Sequence, residues 1–385
     1  MTQHLSCIRI VILIAGLLNF ASPVAAQEAF QGSSPDIVVR EDGRPLISYQ
    51  QLGGLRLLDC SSPQCTNAND RFLVGSGIGR HRMAIRQDGR PIIAYEVAGG
   101  TGAAVYDCAD ADCSTGTSRS LDPVIKPTDF AIVIRDDGRP LIAYGDSDLS
   151  VRQTVIFDCA DVNCTSGSSH IPPGQPAETE QYVNMSLRAS GDPLITASRV
   201  GGLMVYDCDD PACLTGAVSE REALRILGAG MAVRSDDTAV IGYVVISGTG
   251  RIKLLPCGDT ACGTGAVREI ALTSNTSVDP SIVIRPATAP VFDRPFVVYR
   301  RNGQDLEAFD CDDADCSTGS ERTLGTDPAS QAFSDHSLAL STTGTPVIAN
   351  IFAGTIGVIS CEDEGCESFS RRTVFPEGVF SDSFE

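Results

Sequence analysis

Aspartate and histidine are the residue types in this 385-residue sequence whose spacing could support a site for chemistry. Within a repeated strand pattern, three aspartates occupy one aligned position and two histidines the next: Asp129, Asp279 and Asp335, then His81 and His336. Converging carboxylates could coordinate Ca²⁺, a hard cation that prefers oxygen ligands. Alternatively, Asp335 and His336 could perform acid–base catalysis. We favour a third interpretation, turns in which Asp side chains hydrogen-bond to the backbone, because no spacing in the sequence demonstrates convergence.

Arginine ends the first strand of six repeats, and Ser341 takes its place in the seventh. Grouped guanidinium groups could bind a carboxylate or a phosphate. However, one ligand rarely needs sixfold identity, and like charges this close need partners. We therefore expect each arginine to pair with an acid of the following turn, such as Asp42, Asp88 or Asp137, and anion binding is the alternative. The six residues are Arg40, Arg86, Arg135, Arg188, Arg234 and Arg285.

Tyrosine ends the second strand of five repeats, where Ala197 and Asn350 occupy the other two places. Tyrosines on a concave face could stack on sugar rings or anchor a protein partner. The alternative, which we favour, is packing between repeats with the hydroxyl group reaching water. The five residues are Tyr49, Tyr95, Tyr144, Tyr243 and Tyr299.

Cysteine spacing reveals the elements that must position these residues. Fourteen of the 15 cysteines form seven Cys-x4-Cys pairs, whose first members lie 48 to 54 residues apart. A period near 50 residues is that of a propeller blade. The pairs are Cys60 and Cys65, Cys108 and Cys113, Cys159 and Cys164, Cys208 and Cys213, Cys257 and Cys262, Cys311 and Cys316, and Cys361 and Cys366.

Each repeat contains the signals of four short strands. In the third repeat, apolar residues 131–135 precede an Asp-Asp-Gly turn, residues 140–144 form a second strand, and residues 154–157 lead into Cys159. A weaker fourth strand follows the second cysteine. The first strand is apolar without alternation, so both of its faces must be buried, as they are between neighbouring blades. We predict an all-β, seven-bladed β-propeller with four antiparallel strands per blade.

The cysteine pairs are most simply explained as disulfides. Each pair brackets four residues between the third and fourth strands, which places the two sulfur atoms across a hairpin, at the Cα separation of about 5.5 Å typical of paired strands. Structural zinc would require two pairs to meet, whereas the pairs lie on separate blades and seven is odd. Acidic loops such as residues 109–112 disfavour a reactive thiolate. We predict one structural disulfide per blade, each contributing about 2 kcal/mol on the chain-entropy model.

The first 26 residues have the pattern of a secretory signal. An apolar run, Ile10 to Phe20, is too short to span a bilayer well, and small residues 24–26 offer a cleavage site before Gln27. An uncleaved anchor is the alternative. Cys7 precedes the apolar run and therefore cannot be a lipid-attachment cysteine that follows one. We expect a secreted, periplasmic or cell-surface protein without a membrane span after cleavage, in an oxidising compartment that preserves disulfides.

The predicted organisation has three parts: a signal peptide (1–26), a propeller (27–375) and a C-terminal tail (376–385). The ring could close by packing of the first blade against the last, or through a short strand from Gln27 to Ser33. The predicted blades span residues 34–79, 80–127, 128–181, 182–227, 228–278, 279–334 and 335–375.

The repeat pattern resembles one found in a known group of exported proteins. Asp-Gly-Arg-Pro-Leu-Ile-Ala-Tyr, followed by an apolar strand and Asp-Cys-x4-Cys, is similar to repeats of uncharacterised secreted bacterial proteins with Gly-x-Pro-x-x-Ser/Ala-Tyr strands. The resemblance covers about 340 residues and implies a propeller and export, but no activity. The tail, residues 379–385, is similar to short Phe-x-Asp-Gly-Phe-Glu endings of exported proteins, with Ser383 in place of glycine.

Strand order places two sets of loops on each face of a propeller. The Cys-x4-Cys loops and the turns after the first strands share the bottom face and are nearly uniform in length. The loops between the second and third strands and the blade connections share the top face and vary more, which favours a functional top face.

Composition and absent motifs limit the function classes. A net charge of -20 disfavours nucleic acid and anionic membranes as partners. No Gly-x-Ser-x-Gly, His-Glu-x-x-His or phosphate loop occurs, and without Trp there is no sialidase-type box. We expect a monomeric, non-enzymatic binding or adhesion module for a glycan or an extracellular protein. It would need no cofactor, with Ca²⁺ as the candidate ion. The alternative is a carbohydrate-active hydrolase or lyase that uses the top-face Asp, His and Tyr residues.

Overall fold

Seven antiparallel sheets form the fold, and their first strands contact one another in a closed ring around a central channel. The computed structural model describes residues 33–75, 78–97, 99, 102–123, 125–147, 153–176, 180–199, 201–247, 249–273, 280–285, 293–301, 305–326, 335–352 and 354–376. Within these ranges the regular structure consists of strands. The described residues contain no helix that is long and apolar enough to cross a membrane. The predicted seven-bladed propeller is confirmed. The predicted signal peptide and residues 377–385 of the tail lie outside the described residues.

The strands are numbered β1 to β29 in chain order, and four consecutive strands form each blade. Blade 1 contains β1 (Ser33–Val39), β2 (Pro45–Gln51), β3 (Gly54–Cys60) and β4 (Asn67–Val74). Blade 2 contains β5 (His81–Ile85), β6 (Pro91–Glu96), β7 (Ala103–Cys108) and β8 (Gly116–Asp122). Blade 3 contains β9 (Pro127–Ile134), β10 (Pro140–Asp146), β11 (Gln153–Cys159) and β12 (Gly167–His170).

The remaining blades follow the same order from the inner to the outer strand. Blade 4 contains β13 (Glu180–Leu187), β14 (Pro193–Arg199), β15 (Gly202–Cys208) and β16 (Gly216–Glu222). Blade 5 contains β17 (Ile226–Val233), β18 (Ala239–Ser247), β19 (Thr249–Pro256) and β20 (Arg268–Thr273). Blade 6 contains β21 (Ser281–Arg285), β22 (Arg294–Arg301), β23 (Asp305–Cys311) and β24 (Gly319–Thr326). Blade 7 contains β25 (His336–Leu340), β26 (Pro346–Phe352), β27 (Thr355–Cys361) and β28 (Phe369–Thr373).

A short turn with glycine joins the first two strands of most blades. In blade 1, Gly43 has φ +82°, which few other residues adopt, and its amide donates to the Arg40 carbonyl at 2.9 Å. The Asp42 carboxylate accepts from the Arg44 amide at 2.9 Å and completes the turn. This chemistry fixes the register of β1 against β2, where Val39 pairs with Pro45.

The core lies between the blades, because each middle strand buries both of its faces. In β2, Ile47 packs against blade 7 residues such as Val358, whereas the adjacent Leu46 packs against blade 2 residues such as Ile93. Both side chains are fully buried, which stabilises the fold by about 2 kcal/mol each. Interfaces on both sides therefore explain the apolar middle strands. The first strands, such as β5, β9 and β25, form the inside of the ring and are only partly buried, so the prediction that both of their faces are buried is wrong.

A disulfide closes the turn between the third and fourth strands of every blade, as predicted. All fourteen cysteine side chains are buried, so the bonds are shielded inside the blades. The seven bonds join Cys60 to Cys65, Cys108 to Cys113, Cys159 to Cys164, Cys208 to Cys213, Cys257 to Cys262, Cys311 to Cys316, and Cys361 to Cys366.

The second cysteine of each bond departs from the hairpin geometry expected from the sequence. The paired Cα atoms lie 4.7 to 4.8 Å apart, closer than the expected separation of about 5.5 Å. The second cysteine precedes the fourth strand and lies in the turn, with φ between +49° and +58°. This left-handed backbone, uncommon for a residue with a side chain, corrects the expected placement across paired strands. The residues concerned are Cys65, Cys113, Cys164, Cys213, Cys262, Cys316 and Cys366.

Hydrogen bonds and a glycine hold this turn in shape. In blade 2 the Cys113 amide donates to the Asp110 carbonyl at 3.1 Å, and the Asp110 carboxylate accepts from the Ser114 amide at 2.9 Å. A Cβ on Gly116 would lie 2.4 Å from the Tyr106 ring. Glycine is therefore required where the fourth strand of this blade begins.

The ring closes through β29 (Phe375–Pro376), which pairs in parallel with β4 at the outer edge of blade 1. Val374, just before β29, is fully buried in a cluster shared by blades 1 and 7. On the inner side, the Ser337 hydroxyl accepts from the Ile37 amide at 3.2 Å and donates to Asp36 at 2.9 Å. Closure thus combines packing with a C-terminal strand, whereas the sequence suggested packing or an N-terminal strand.

Candidate functional site

The six arginines at the ends of the first strands lie between blades, and we call them the bottom-face arginines. They are Arg40, Arg86, Arg135, Arg188, Arg234 and Arg285. The Arg40 guanidinium pairs with Asp59, the residue before Cys60, and also lies 2.9 Å from Asp112 of blade 2. The expected turn partner, Asp42, is farther at 3.7 Å and forms its closer ion pair with Arg44. The predicted pair with Asp42 is therefore present as the longer contact, and the closer partner, Asp59, was not predicted. Asp59 lies two strands away and is buried beside Arg40, while Asp42 stays half-exposed in the turn.

Most of the other bottom-face arginines repeat this arrangement. Arg86 pairs with Asp107 at 2.6 Å, and Arg135, Arg188 and Arg285 pair with the aspartate before their own first cysteine. Four also donate to the carbonyl two residues before the second cysteine of the next blade. These bonds are Arg86–Val162 (2.9 Å), Arg188–Thr260 (3.1 Å), Arg234–Ala314 (2.5 Å) and Arg285–Glu364 (2.7 Å). Their positions account for the arginines as interface residues and give no support to anion binding.

The five tyrosines are enclosed between blades, each with at most 2% of its surface exposed. Tyr49, for example, packs against Ile351 and Val358 of blade 7, and its hydroxyl donates to Asp70 at 3.0 Å. Burial raises the pKa of Tyr49, Tyr144, Tyr243 and Tyr299 above the ordinary tyrosine value. Such rings have no face open to a sugar, so their predicted ligand-binding role gains no support from where they lie.

The two histidines also lie in blade interfaces. His336 is 8% exposed, and its Nε2 lies 3.0 Å from the Val298 carbonyl oxygen of blade 6. Burial lowers the pKa of His336 to about 4 and also lowers the pKa of His81, which is 1% exposed. Both imidazoles are therefore neutral at pH 7. The same repeat position holds Phe130 in blade 3, so each histidine replaces an apolar packing residue.

The two predicted aspartates that the structure describes are each bound at a different blade interface. Asp335 accepts from the Ser34 hydroxyl at 2.7 Å across the blade 7 and blade 1 interface. Asp129 accepts from the Val183 amide at 3.2 Å across the interface of blades 3 and 4. Asp279 lies outside the described residues. Among the described residues, no three His, Cys, Asp or Glu side chains form a group that could hold a metal ion.

Four residues at the top mouth of the channel do come together, and only one of them was predicted. Arg82 Nη2 lies 3.7 Å from Asp129 Oδ1, and the Arg80 guanidinium lies over the Tyr182 ring, 5.8 Å from its centroid. Tyr182 precedes Val183, whose amide binds Asp129. We call Arg80, Arg82, Asp129 and Tyr182 the mouth cluster.

The sequence signal for this cluster was a repeat position whose residue type is not the same in every blade. The position four residues before each bottom-face arginine holds Asp36, Arg82 and Asn184 in blades 1, 2 and 4. The residue type at this position changes from blade to blade, whereas the position after it is apolar in every blade. Asp36 uses this position structurally, since it accepts from the Met83 amide at 2.6 Å.

Comparison with known proteins gives a shared fold and no family. No protein-family profile matches the chain, and no curated protein matches it. An ancestral GH74 enzyme is similar with a TM-score of 0.62 and 8% identity, over 91% of this chain and 47% of that one. A PL25 ulvan lyase with a bound saccharide is similar with a TM-score of 0.55 and 12% identity, over 91% and 95% of the two chains.

A third solved structure extends this set. The α-L-arabinofuranosidase from Fusarium graminearum, in complex with an iminosugar inhibitor, has a TM-score of 0.50 and 11% identity, over 90% of this chain and 98% of that one. At such low identity these likenesses show the propeller fold alone.

Proposed function

We propose that this protein is an exported, non-enzymatic module that binds a glycan at the top mouth of its central channel. One observation carries the proposal: the mouth cluster joins polar residues of blades 2, 3 and 4 that are not repeated around the ring. The repeated arginines and tyrosines are instead engaged in blade interfaces. In a fold built from uniform repeats, a ligand site is expected to consist of residues that are not repeated.

Two further observations support this proposal. Seven disulfides are typical of proteins in an oxidising extracellular compartment. One similar propeller is a polysaccharide lyase with a bound saccharide, so the same architecture can present sugar-binding residues.

Binding to a panel of polysaccharides tests the function. Oxidised protein should bind at least one glycan class saturably, and Arg82→Ala should weaken that binding because Arg82 is the partly exposed cation of the mouth. The control is Arg139→Ala, since Arg139 pairs with Asp137 in an exposed bottom-face turn. A panel without saturable binding would refute the proposal. Release of new reducing ends from a bound polysaccharide would instead favour the hydrolase or lyase alternative.

A further inference from the structure

Asp129 carries a buried oxygen atom without a hydrogen bond. The side chain is 2% exposed, and Oδ2 accepts from the Val183 amide at 3.2 Å. Oδ1 has no hydrogen-bond partner among the described residues. A buried acceptor left without a bond costs about 1–3 kcal/mol, so a ligand donor that reached Oδ1 would recover that cost.

Arg82 limits which ligand can fill that place. Its Nη2 lies 3.7 Å from Asp129 Oδ1, beyond hydrogen-bond distance, and its side chain is 32% exposed. A cation bound at Asp129 would be repelled by the guanidinium of Arg82, and an anion bound at Arg82 would be repelled by the carboxylate. A neutral hydroxyl group satisfies both, because it can donate to Asp129 and accept from Arg82.

Tyr182 adds an apolar surface beside this pair. The ring is partly exposed and already receives the Arg80 guanidinium at 5.8 Å from its centroid. The adjacent Val183 amide donates to Asp129, so the residue that carries the ring is next in the chain to the one that binds the carboxylate. Aromatic rings are suited to ligands with one apolar face and polar edges.

We propose that the mouth cluster binds a neutral sugar residue, an inference that rests on the proposed glycan-binding function. One sugar hydroxyl donates to Asp129 Oδ1, the same or an adjacent hydroxyl accepts from Arg82, and the C–H face of the ring lies against Tyr182. We expect the opposed charges of Asp129 and Arg82 to disfavour a charged substituent beside them.

Titration calorimetry with paired ligands tests this specificity. Neutral glucan, mannan and galactan oligosaccharides are compared with polygalacturonate and alginate oligosaccharides of the same length. We expect a neutral series to bind, with an affinity that hardly changes between 50 mM and 500 mM NaCl, because no net ligand charge is screened. Asp129→Asn keeps the shape and an acceptor for the Val183 amide, and should weaken binding about ten- to hundredfold.

Arg82→Gln and Arg139→Ala complete the design. Arg82→Gln alters a partly exposed residue that can be replaced without a buried void, and should also weaken binding. Arg139→Ala should bind like the wild type. Tighter binding of the acidic series, or unchanged neutral binding in both Asp129→Asn and Arg82→Gln, overturns the neutral-sugar inference while the glycan-binding function stands. Failure of both series to bind overturns the proposed function itself.

Discussion

At the scale of single residues, Asp36 shows how one carboxylate joins three blades. It accepts from the Met83 amide of blade 2 at 2.6 Å and from the Ser337 hydroxyl of blade 7 at 2.9 Å. We expect Asp36→Ala to destabilise the protein by about 1–3 kcal/mol, because a buried amide loses its acceptor. Asp137→Ala, which breaks an exposed pair with Arg139, should cost less than about 1 kcal/mol. Thermal unfolding of both variants checks this; equal melting temperatures would contradict it.

His336 gives the fold a defined response to acid. Its pKa is about 4 in the folded protein, against an ordinary value near 6.5. Between these values the unfolded chain binds a proton that the native chain does not, so stability decreases as the pH is lowered from 6.5 towards 4. The loss approaches about 3 kcal/mol at the lower end.

Phenylalanine, which blade 3 uses at this position as Phe130, provides the matching variant. His336→Phe should show a smaller decrease in melting temperature between pH 6.5 and pH 4 than the wild type, whatever its melting temperature at pH 7.5. Parallel pH profiles of the two proteins would show that His336 is not the group responsible.

Residue roles were only partly predictable from the sequence. Tyr49 and Arg40 were recognised as repeated, and repetition correctly suggested packing and ion pairing. The partner of Arg40 was missed because Asp59 lies 19 residues away and becomes a neighbour only when β1 and β3 share a sheet. Arg82 and Tyr182 were missed as a pair of site residues because they lie on different blades, 100 residues apart.

At the scale of strands and turns, blade 7 lacks the arginine–aspartate pair that blades 1, 2, 3, 4 and 6 use. It has Ser341 and Ser360 where blade 6 has Arg285 and Asp310. Arg285→Ser should destabilise the protein by about 3–5 kcal/mol, because it leaves the largely buried Asp310 without its closest cation.

The double variant Arg285→Ser/Asp310→Ser copies the blade 7 arrangement into blade 6. It should be more stable than Arg285→Ser alone, since removing both charges avoids an unpaired one. Urea unfolding of the two variants makes the comparison. A double variant less stable than the single variant would contradict this and show that Asp310 stabilises the fold without Arg285, through its ion pair with Arg322 at 3.8 Å.

At the scale of the whole molecule, the interface between blades 7 and 1 differs from the others, because its inner strands, β25 and β1, belong to blades that do not follow one another in the chain. Val374 lies in this interface, fully buried in one cluster with Val358 and Ile37. We expect Val374→Ala to destabilise the protein by about 1–3 kcal/mol through the cavity it creates.

Hydrogen exchange followed by mass spectrometry locates the effect. Amides of β1 and β25 should exchange faster in Val374→Ala than in the wild type, while those of β9 and β13, on the opposite side of the ring, should not change. Uniform acceleration around the ring would mean that the closure interface does not open independently.

The architecture was the most predictable property, because the Cys-x4-Cys period repeats seven times and each apolar strand is short and local in sequence. Ring closure was not predictable in detail. β29 contains two residues and pairs with residues 67 and 68, more than 300 positions earlier, without any local pattern to mark it. Pairing over such a distance depends on where the packing of the blades places residues 375 and 376.

The disulfides described above have a consequence for how the chain matures. Each joins cysteines five positions apart, and none crosses from one blade to another. Each disulfide can therefore form in an oxidising environment once its own turn has formed, before the rest of the chain is present. Gain or loss of a whole repeat by recombination would add or remove both cysteines of a pair and leave no unpaired cysteine. The number of blades can therefore change over evolution without disturbing disulfide formation in the remaining blades.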